Sequence, residues 1–119
     1  MQAITDLADA RARAEERRIS PRKVVSLRAR VVLPDNTMLD GHAVDLSRTG
    51  IGLCSPRMLQ ADQDCTLLID LSACGEDIAL KLVGRVCYCR EQTPNKFRAG
   101  LHFIGLDAHA ARILDQLLG

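Results

Sequence analysis

Short stretches of alternating apolar and polar residues, separated by turn sequences, constrain the fold of this 119-residue chain most strongly. The first stretch alternates Val25, Leu27, Ala29 and Val31 with polar or charged neighbours, as a half-buried strand does. Turn residues such as proline, asparagine, aspartate and glycine follow between the stretches. The pattern predicts six strands, over residues 25–32, 38–45, 51–54, 65–71, 78–90 and 97–104.

Helical patterns lie at both ends of the chain. Thr5 to about Arg17 combines a capping threonine with several alanines, and Ser20-Pro21 ends the pattern. Asp107 caps a second helix with an apolar face formed by Ile113, Leu114, Leu117 and Leu118. We therefore predict an all-β fold, a six-stranded antiparallel barrel over residues 24–119 that includes the C-terminal helix. An Arg-rich helical arm precedes it over residues 1–23.

Positive charge is concentrated in that arm. Residues 11–23 contain six bases and two acids, whereas residues 24–119 contain ten bases and eleven acids. Thirteen of the sixteen bases are arginine, whose planar guanidinium binds phosphates and stacks on flat rings. The distribution favours a local anion site over a broad nucleic-acid-binding face. A solvated, salt-bridged helix is the alternative interpretation of the arm.

The remaining composition excludes several classes of protein. Five cysteines without a secretory signal indicate a reducing, cytoplasmic location and free thiols. Cys87 and Cys89 lack zinc-knuckle spacing and are expected on one strand face as small hydrophobic residues, so we predict no metal site and no cofactor. No histidine has a nucleophile or acid at catalytic spacing, which argues against an enzyme. No apolar run reaches the length of a membrane-spanning segment.

Arginines before the first strand form the first candidate binding element. Arg18 and Arg22 lie four residues apart, and Arg17 precedes them. The bend at Pro21 allows this segment to fold back over a barrel face, where an anion could bridge both guanidinium groups.

A polar turn after the second strand forms the other element. Asp45 and Ser47 are expected on one side, where the carboxylate can accept two N–H groups of a guanine edge and the hydroxyl adds a third contact. Arg48 lies in the same turn, and Gly50 permits a positive φ that closes it. An Asx or Ser turn that merely joins two strands is the alternative interpretation.

With both elements in this order on an all-β pattern, the chain resembles the PilZ domain family. Arg18 and Arg22 match the RxxxR signature of that family, and Asp45, Ser47 and Gly50 match its [D/N]xSxxG signature. The segments 50–53 and 99–103 also resemble the family, and the resemblance covers about residues 17–118. Members are six-stranded antiparallel barrels that bind the bacterial second messenger cyclic di-GMP.

The resemblance implies a receptor without catalytic activity. Arg18 and Arg22 would hold phosphates and stack on guanine, and an extra arginine at Arg17 would accommodate an intercalated cyclic di-GMP dimer. The arm would become ordered on binding and present a new surface to an unidentified effector protein. The predicted ligand-binding residues are Arg17, Arg18, Arg22, Asp45, Ser47, Arg48 and Gly50.

Two alternatives come from other classes of protein. One is a small barrel that binds RNA or single strands, and the other is a purely protein-binding adaptor. The first would stack bases on aromatic side chains, and this chain has only three: Tyr88, Phe97 and Phe103. We therefore expect no DNA or RNA partner. The complete motif set argues against the adaptor.

A second DxSxxG match occurs at Asp70–Gly75. It lies 48 residues after Arg22, whereas Asp45 lies 23 residues after it. The spacing in the family favours Asp45, so the second match is predicted to be an ordinary hairpin turn.

Overall fold

Six antiparallel strands close into a barrel in the computed structural model, which describes residues 21–75 and 79–119. The strands neighbour one another in the order β1-β2-β3-β6-β5-β4, and β4 pairs back to β1. This confirms the predicted all-β barrel. The strands are β1 (Lys23–Val32), β2 (Met38–Leu46), β3 (Gly50–Ser55), β4 (Asp64–Asp70), β5 (Ala79–Thr93) and β6 (Lys96–Phe103).

Alternate residues along the regular stretches of the strands fill the barrel interior. On β1, Leu27, Ala29 and Val31 are buried, while Arg28 and Arg30 between them are exposed. Each large apolar side chain that is fully buried contributes about 1.5–3 kcal/mol to folding. The largest fully buried apolar side chains are Leu46, Ile51, Leu53, Leu59, Leu67, Ile69, Leu71 and Leu114.

A single α-helix follows the last strand in the described part of the chain. Helix α1 (Ala108–Leu118) begins at Asp107, whose carboxylate accepts a hydrogen bond from the backbone N–H of Ala110 at 2.7 Å, as predicted. Its apolar face buries Ala110 and Leu114 in the core of the barrel. Among the described residues, no helix combines the length and the apolar character needed to cross a membrane.

Bulges interrupt three of the strands. The pairing register shifts on β1 between Val24 and Leu27, on β2 between Ala43 and Asp45, and twice on β5, between Val86 and Tyr88 and between Glu91 and Thr93. A bulge adds a residue to one strand and reverses the inside–outside alternation beyond it. These bulges therefore decide which side chains of the three strands reach the outer surface.

The β5 bulge corrects the expectation for the cysteines. Cys87 is exposed, whereas Cys89 packs partly against the core, so the two thiols do not share a face. Only Cys65 of the five is fully buried, and Cys74 is exposed at the end of a short 3-10 helix. All five lie in the described ranges and none forms a disulfide. Strand alternation alone was insufficient because the bulge changes its phase.

Several predictions fall on residues outside those described. These are the helix over Thr5–Arg17, the arginines Arg17 and Arg18, and Ile78 at the start of the fifth predicted strand. The division into an arm over 1–23 and a barrel over 24–119 stays a prediction.

Candidate functional site

The carboxylate of Asp45 lies on the outer surface of the barrel because of the bulge on β2. Leu39 and Ala43 face the interior, and unbroken alternation would direct residue 45 inward as well. The register shift after Ala43 instead turns Asp45 outward and Leu46 into the core. The Asp45 side chain is 18% exposed.

Two arginines from other strands hold this carboxylate. Arg22, just before β1, donates to Oδ1 at 2.5 Å, and Arg98 of β6 donates to Oδ2 at 2.7 Å. The Arg22 side chain is 40% exposed and that of Arg98 is 27% exposed. Each carboxylate oxygen retains a second lone pair, so the group can accept further N–H donors from outside. The result is an Arg–Asp–Arg cluster that joins the starts of β1 and β6 to the end of β2.

Two glycines form a flat floor beside the cluster. Gly52 of β3 pairs with Asp45 on one side and with Gly100 of β6 on the other. A Cβ atom at Gly52 would lie 2.5 Å from Oδ2 of Asp45, and one at Gly100 would overlap the ring of Tyr88. Side chains at either position would therefore displace their neighbours. Both glycines are buried, because the Asp45 carboxylate covers Gly52 and the Tyr88 ring covers Gly100. The missing side chains let these two groups lie close against the sheet.

Tyr88 and Arg90 border the far side of this floor. The bulge after Val86 turns Tyr88 outward, where it is 46% exposed and pairs with Gly100. The guanidinium carbon of Arg90 lies 5.8 Å from the centre of its ring. A half-exposed aromatic ring beside a guanidinium group can stack on a flat aromatic ligand.

The turn after β2 is built around the hydroxyl of Ser47. It accepts from the backbone N–H of Gly50 at 3.1 Å and from that of Thr49 at 3.2 Å, and the residue is 1% exposed. The hydroxyl is therefore engaged within the turn, rather than exposed beside the Asp45 carboxylate as expected. The strand ends at Leu46, so its alternation does not extend to Ser47.

Gly50 closes this turn by close approach rather than by a positive φ. It does not belong to the positive-φ glycines of the described residues, so the predicted conformational reason is wrong. A Cβ atom there would lie 2.5 Å from the carbonyl oxygen of Leu101 on β6. Glycine is required because strands β3 and β6 pack too closely for a side chain.

Arg48 is directed away from Asp45 and toward helix α1. Its Nε lies 2.8 Å from a carboxylate oxygen of Asp115. Lys23, which follows Arg22, donates from Nζ to the carbonyl oxygen of Leu117 at 2.8 Å. Both candidate binding elements are thus tied to the C-terminal helix.

The second DxSxxG match forms a local turn. Asp70 accepts from the backbone N–H of Ser72 at 2.9 Å, and this hydrogen bond holds the pKa of its carboxyl below the ordinary value. A short 3-10 helix, Ser72–Cys74, follows and ends at Gly75 with φ of 86°. No described arginine forms an ion pair with Asp70 as Arg22 and Arg98 do with Asp45. The turn interpretation of this match agrees with the geometry.

The structure thus brings Arg22 and Asp45 together, and it adds residues that the sequence did not indicate. Arg98 lies 53 positions from Asp45, and their contact depends on the β2–β3–β6 register. The only indication of Arg98 in the sequence is its place directly before residues 99–103, which resemble the family noted above. Tyr88 stood out only as a rare aromatic residue.

The chemistry of the site suits a planar, anionic ligand. Arg22 and Arg98 pair with one acid, Asp45, and Arg90 lies over Tyr88, which leaves an excess of positive charge. Within residues 21–75 and 79–119, no three histidine, cysteine, aspartate or glutamate side chains cluster as they would around a metal ion. Guanidinium groups, a carboxylate and an exposed ring are the groups that bind phosphates, base edges and base faces.

Comparison with known proteins places this geometry in context. The family model described as the PilZ domain matches residues 16–119. A search of curated proteins finds no matching relative. Among solved structures, the PilZ domain of YcgR from Escherichia coli with c-di-GMP has a TM-score of 0.70 at 18% identity, covering 85% of this chain and 88% of that one.

Two further solved structures share the fold within longer chains. The inhibitor of motility MotI from Bacillus subtilis has a TM-score of 0.66 at 17% identity, with 85% of this chain and 48% of that chain covered. The MrkH–c-di-GMP complex from K. pneumonia has a TM-score of 0.64 at 14% identity, with 83% and 49% covered. The present chain spans about half the length of these two proteins.

Proposed function

The chain belongs to the PilZ domain family, and from that premise we propose that it is a receptor for cyclic di-GMP. The observation that carries the proposal is the Asp45 carboxylate held between Arg22 and Arg98 beside the glycine floor. Arg22 belongs to one signature motif and Asp45 to the other, so their ion pair joins the two motifs. The description of the YcgR PilZ domain as a c-di-GMP complex supports the same ligand.

Each part of the ligand has a chemically suitable group on this surface. The Asp45 carboxylate accepts the N1–H and N2–H groups of one guanine edge, which no other common base presents together. Arg22 moves to a phosphate, and Arg18 and Arg17 of the arm supply further guanidinium groups for the phosphates. Tyr88 and Arg90 stack on a guanine face above Gly100.

The turn residues act on the ligand through the shape of the turn. Ser47 holds Gly50 and Thr49 through its hydroxyl, and Gly50 allows β3 to lie against β6. Together they fix the position of the end of β2, and therefore of Asp45, relative to Gly52 and Gly100. Arg48 contributes from the rim, where its pair with Asp115 exchanges for a phosphate.

The proposed ligand form is the intercalated dimer of cyclic di-GMP. Two stacked molecules present four phosphates and four guanines, which require more guanidinium groups than a single molecule does. Arg17 and Arg90 supply the extra groups. A calorimetric ratio of two ligands per chain supports this form, and a ratio of one refutes it.

The proposed output is a change of surface in the cytoplasm rather than a reaction. The arm over residues 1–23 orders when the ligand neutralises its arginines, and an effector protein recognises the resulting surface. MrkH, described as a c-di-GMP-dependent transcription regulatory factor, is one relative in which ligand and regulation are named together.

Isothermal titration of the full chain tests the ligand. Cyclic di-GMP should bind in the micromolar range or tighter, and GTP and a single-stranded oligonucleotide should bind at least tenfold more weakly. Arg22→Ala should weaken binding by about 1–3 kcal/mol, the cost of a lost charge-assisted contact. Arg30 lies elsewhere on β1 and pairs with Asp40 of β2, so Arg30→Ala should leave the affinity unchanged. Stronger binding of the oligonucleotide would favour the RNA alternative.

A further inference from the structure

Arg22 and Arg98 hold the same carboxylate from positions that differ in rigidity. Arg22 precedes β1, next to Pro21, and its side chain is 40% exposed. Arg98 lies within β6, where Cys54 of β3 and Arg90 of β5 flank it in register, and it is 27% exposed. Arg22 is therefore free to change partners, whereas Arg98 is fixed between two strands.

The environment of Arg98 restricts its guanidinium to Asp45. Its Nε is shielded from solvent and has no hydrogen-bond partner among the described residues. Its NH2 group donates to Oδ2 of Asp45 at 2.7 Å. A shielded donor without a partner is a cost that folding would avoid, and in native proteins it calls for an explanation. The explanation is that this guanidinium is held in the one position from which it orients the Asp45 carboxylate.

Gly52 completes the support of the carboxylate. Oδ2 of Asp45 lies 2.5 Å from the position that a Cβ atom of residue 52 would take, so the carboxylate packs closely against the backbone of β3. With Arg98 on Oδ2 and Gly52 below, only Oδ1 depends on Arg22. Removal of Arg22 to a phosphate would leave Oδ1 open and the carboxylate plane unchanged.

We propose that Arg98 is a positioning residue that orients Asp45 for guanine, while Arg22 is the arginine that exchanges from Asp45 to the ligand. The proposal rests on the proposed cyclic di-GMP function and assigns base selectivity within it. Adenine lacks the N1–H donor that guanine offers to a carboxylate. A correctly oriented Asp45 therefore discriminates between the two bases, and a freely rotating one discriminates poorly.

The test compares the dissociation constants of cyclic di-GMP and cyclic di-AMP by calorimetry for the full chain and its variants. A good two-point pair with a base edge discriminates by about 1–3 kcal/mol, or roughly 5–150-fold. Arg98→Met removes the donor at similar length, and we expect the preference for cyclic di-GMP to fall about tenfold. Arg98→Lys, which can still donate to Oδ2, should restore most of the preference.

Arg22→Met should behave differently. It removes a phosphate contact shared by both ligands, so both dissociation constants should rise by a similar factor while their ratio stays within about twofold. Arg30→Met is the matched control, because Arg30 pairs with Asp40, five residues and about 16 Å along β2 from Asp45. It should change neither constant. Circular dichroism and thermal melting establish whether each variant folds. If Arg98→Met does not fold, Arg98→Gln replaces it.

The outcomes separate the two proposals. If the unmodified chain binds neither dinucleotide, the proposed function fails and this inference fails with it. If it prefers cyclic di-GMP but the Arg98 variants keep the same ratio, the function stands and the positioning role is refuted. Equal weakening of both ligands by Arg98→Met would make Arg98 a phosphate contact instead.

Discussion

Asparagine substitution at Asp45 and Asp70 provides a matched pair of perturbations, since both residues begin a DxSxxG sequence. Asp45 accepts charge-assisted hydrogen bonds on both oxygens, from Arg22 and Arg98. Asparagine keeps one acceptor and turns an NH2 donor toward the other guanidinium. Both ion pairs are therefore lost: one becomes a hydrogen bond to a neutral acceptor and a donor–donor contact replaces the other.

The partial burial of this cluster sets the size of the effect. Fully exposed ion pairs contribute about 0.2–1 kcal/mol, and hydrogen bonds to charged groups about 1.5–3 kcal/mol. With side chains 18–40% exposed, Asp45→Asn should cost about 1–2 kcal/mol of folding free energy. That corresponds to a decrease of about 4–8 °C in Tm for a domain of this size.

Asp70→Asn should have almost no effect on the same measurement. Its carbonyl oxygen still accepts the N–H of Ser72, and asparagine is well suited to such turns. Thermal melting followed by circular dichroism, without ligand and near neutral pH, measures both variants. Equal Tm values for the two variants, or a larger loss at Asp70, would refute the assigned difference between the turns. With cyclic di-GMP present, only Asp45→Asn should also lose affinity, by about 1–3 kcal/mol.

Three further outcomes follow from the site and the core. Gly100→Ala should displace the Tyr88 ring and weaken cyclic di-GMP about tenfold while Tm changes little, and unchanged affinity would exclude stacking at Tyr88. Burial raises the pKa of the Cys65 thiol, so mass spectrometry after iodoacetamide at pH 8 should find Cys74 alkylated well before Cys65. Comparable rates would contradict the burial of Cys65. When the logarithm of the cyclic di-GMP binding constant is plotted against the logarithm of the salt concentration, the slope should be about −2 per bound molecule. A much steeper slope would indicate a polyanionic ligand.

The strands were predictable because their signal is local. Leu27, Ala29 and Val31 alternate with polar residues, and a period of two depends only on which side of a strand faces the core. The capping role of Asp107 is equally local, since the carboxylate bonds to an N–H three residues away.

The site was predictable only in part because its geometry depends on bulges and register. Simple alternation places Asp45 and Tyr88 inside the barrel, and a single added residue on β2 and on β5 moves each outside. Arg98 reaches Asp45 only because Gly52 and Gly100 pair across β3 and β6. Neither the bulges nor the pairing leaves a pattern that can be recognised in one sequence.

The hydrogen bond from Lys23 to the carbonyl oxygen of Leu117 has a practical consequence for protein engineering. Any polypeptide joined after Gly119, such as a purification tag or a fluorescent reporter, would begin three residues after the carbonyl group that binds the side chain of Lys23, the neighbour of Arg22. A reporter fused there would compete with the ligand for space and would also be sensitive to its arrival. The turn over residues 33–37 lies at the other end of β1, ten residues and about 33 Å away, and is the better attachment point for a silent label.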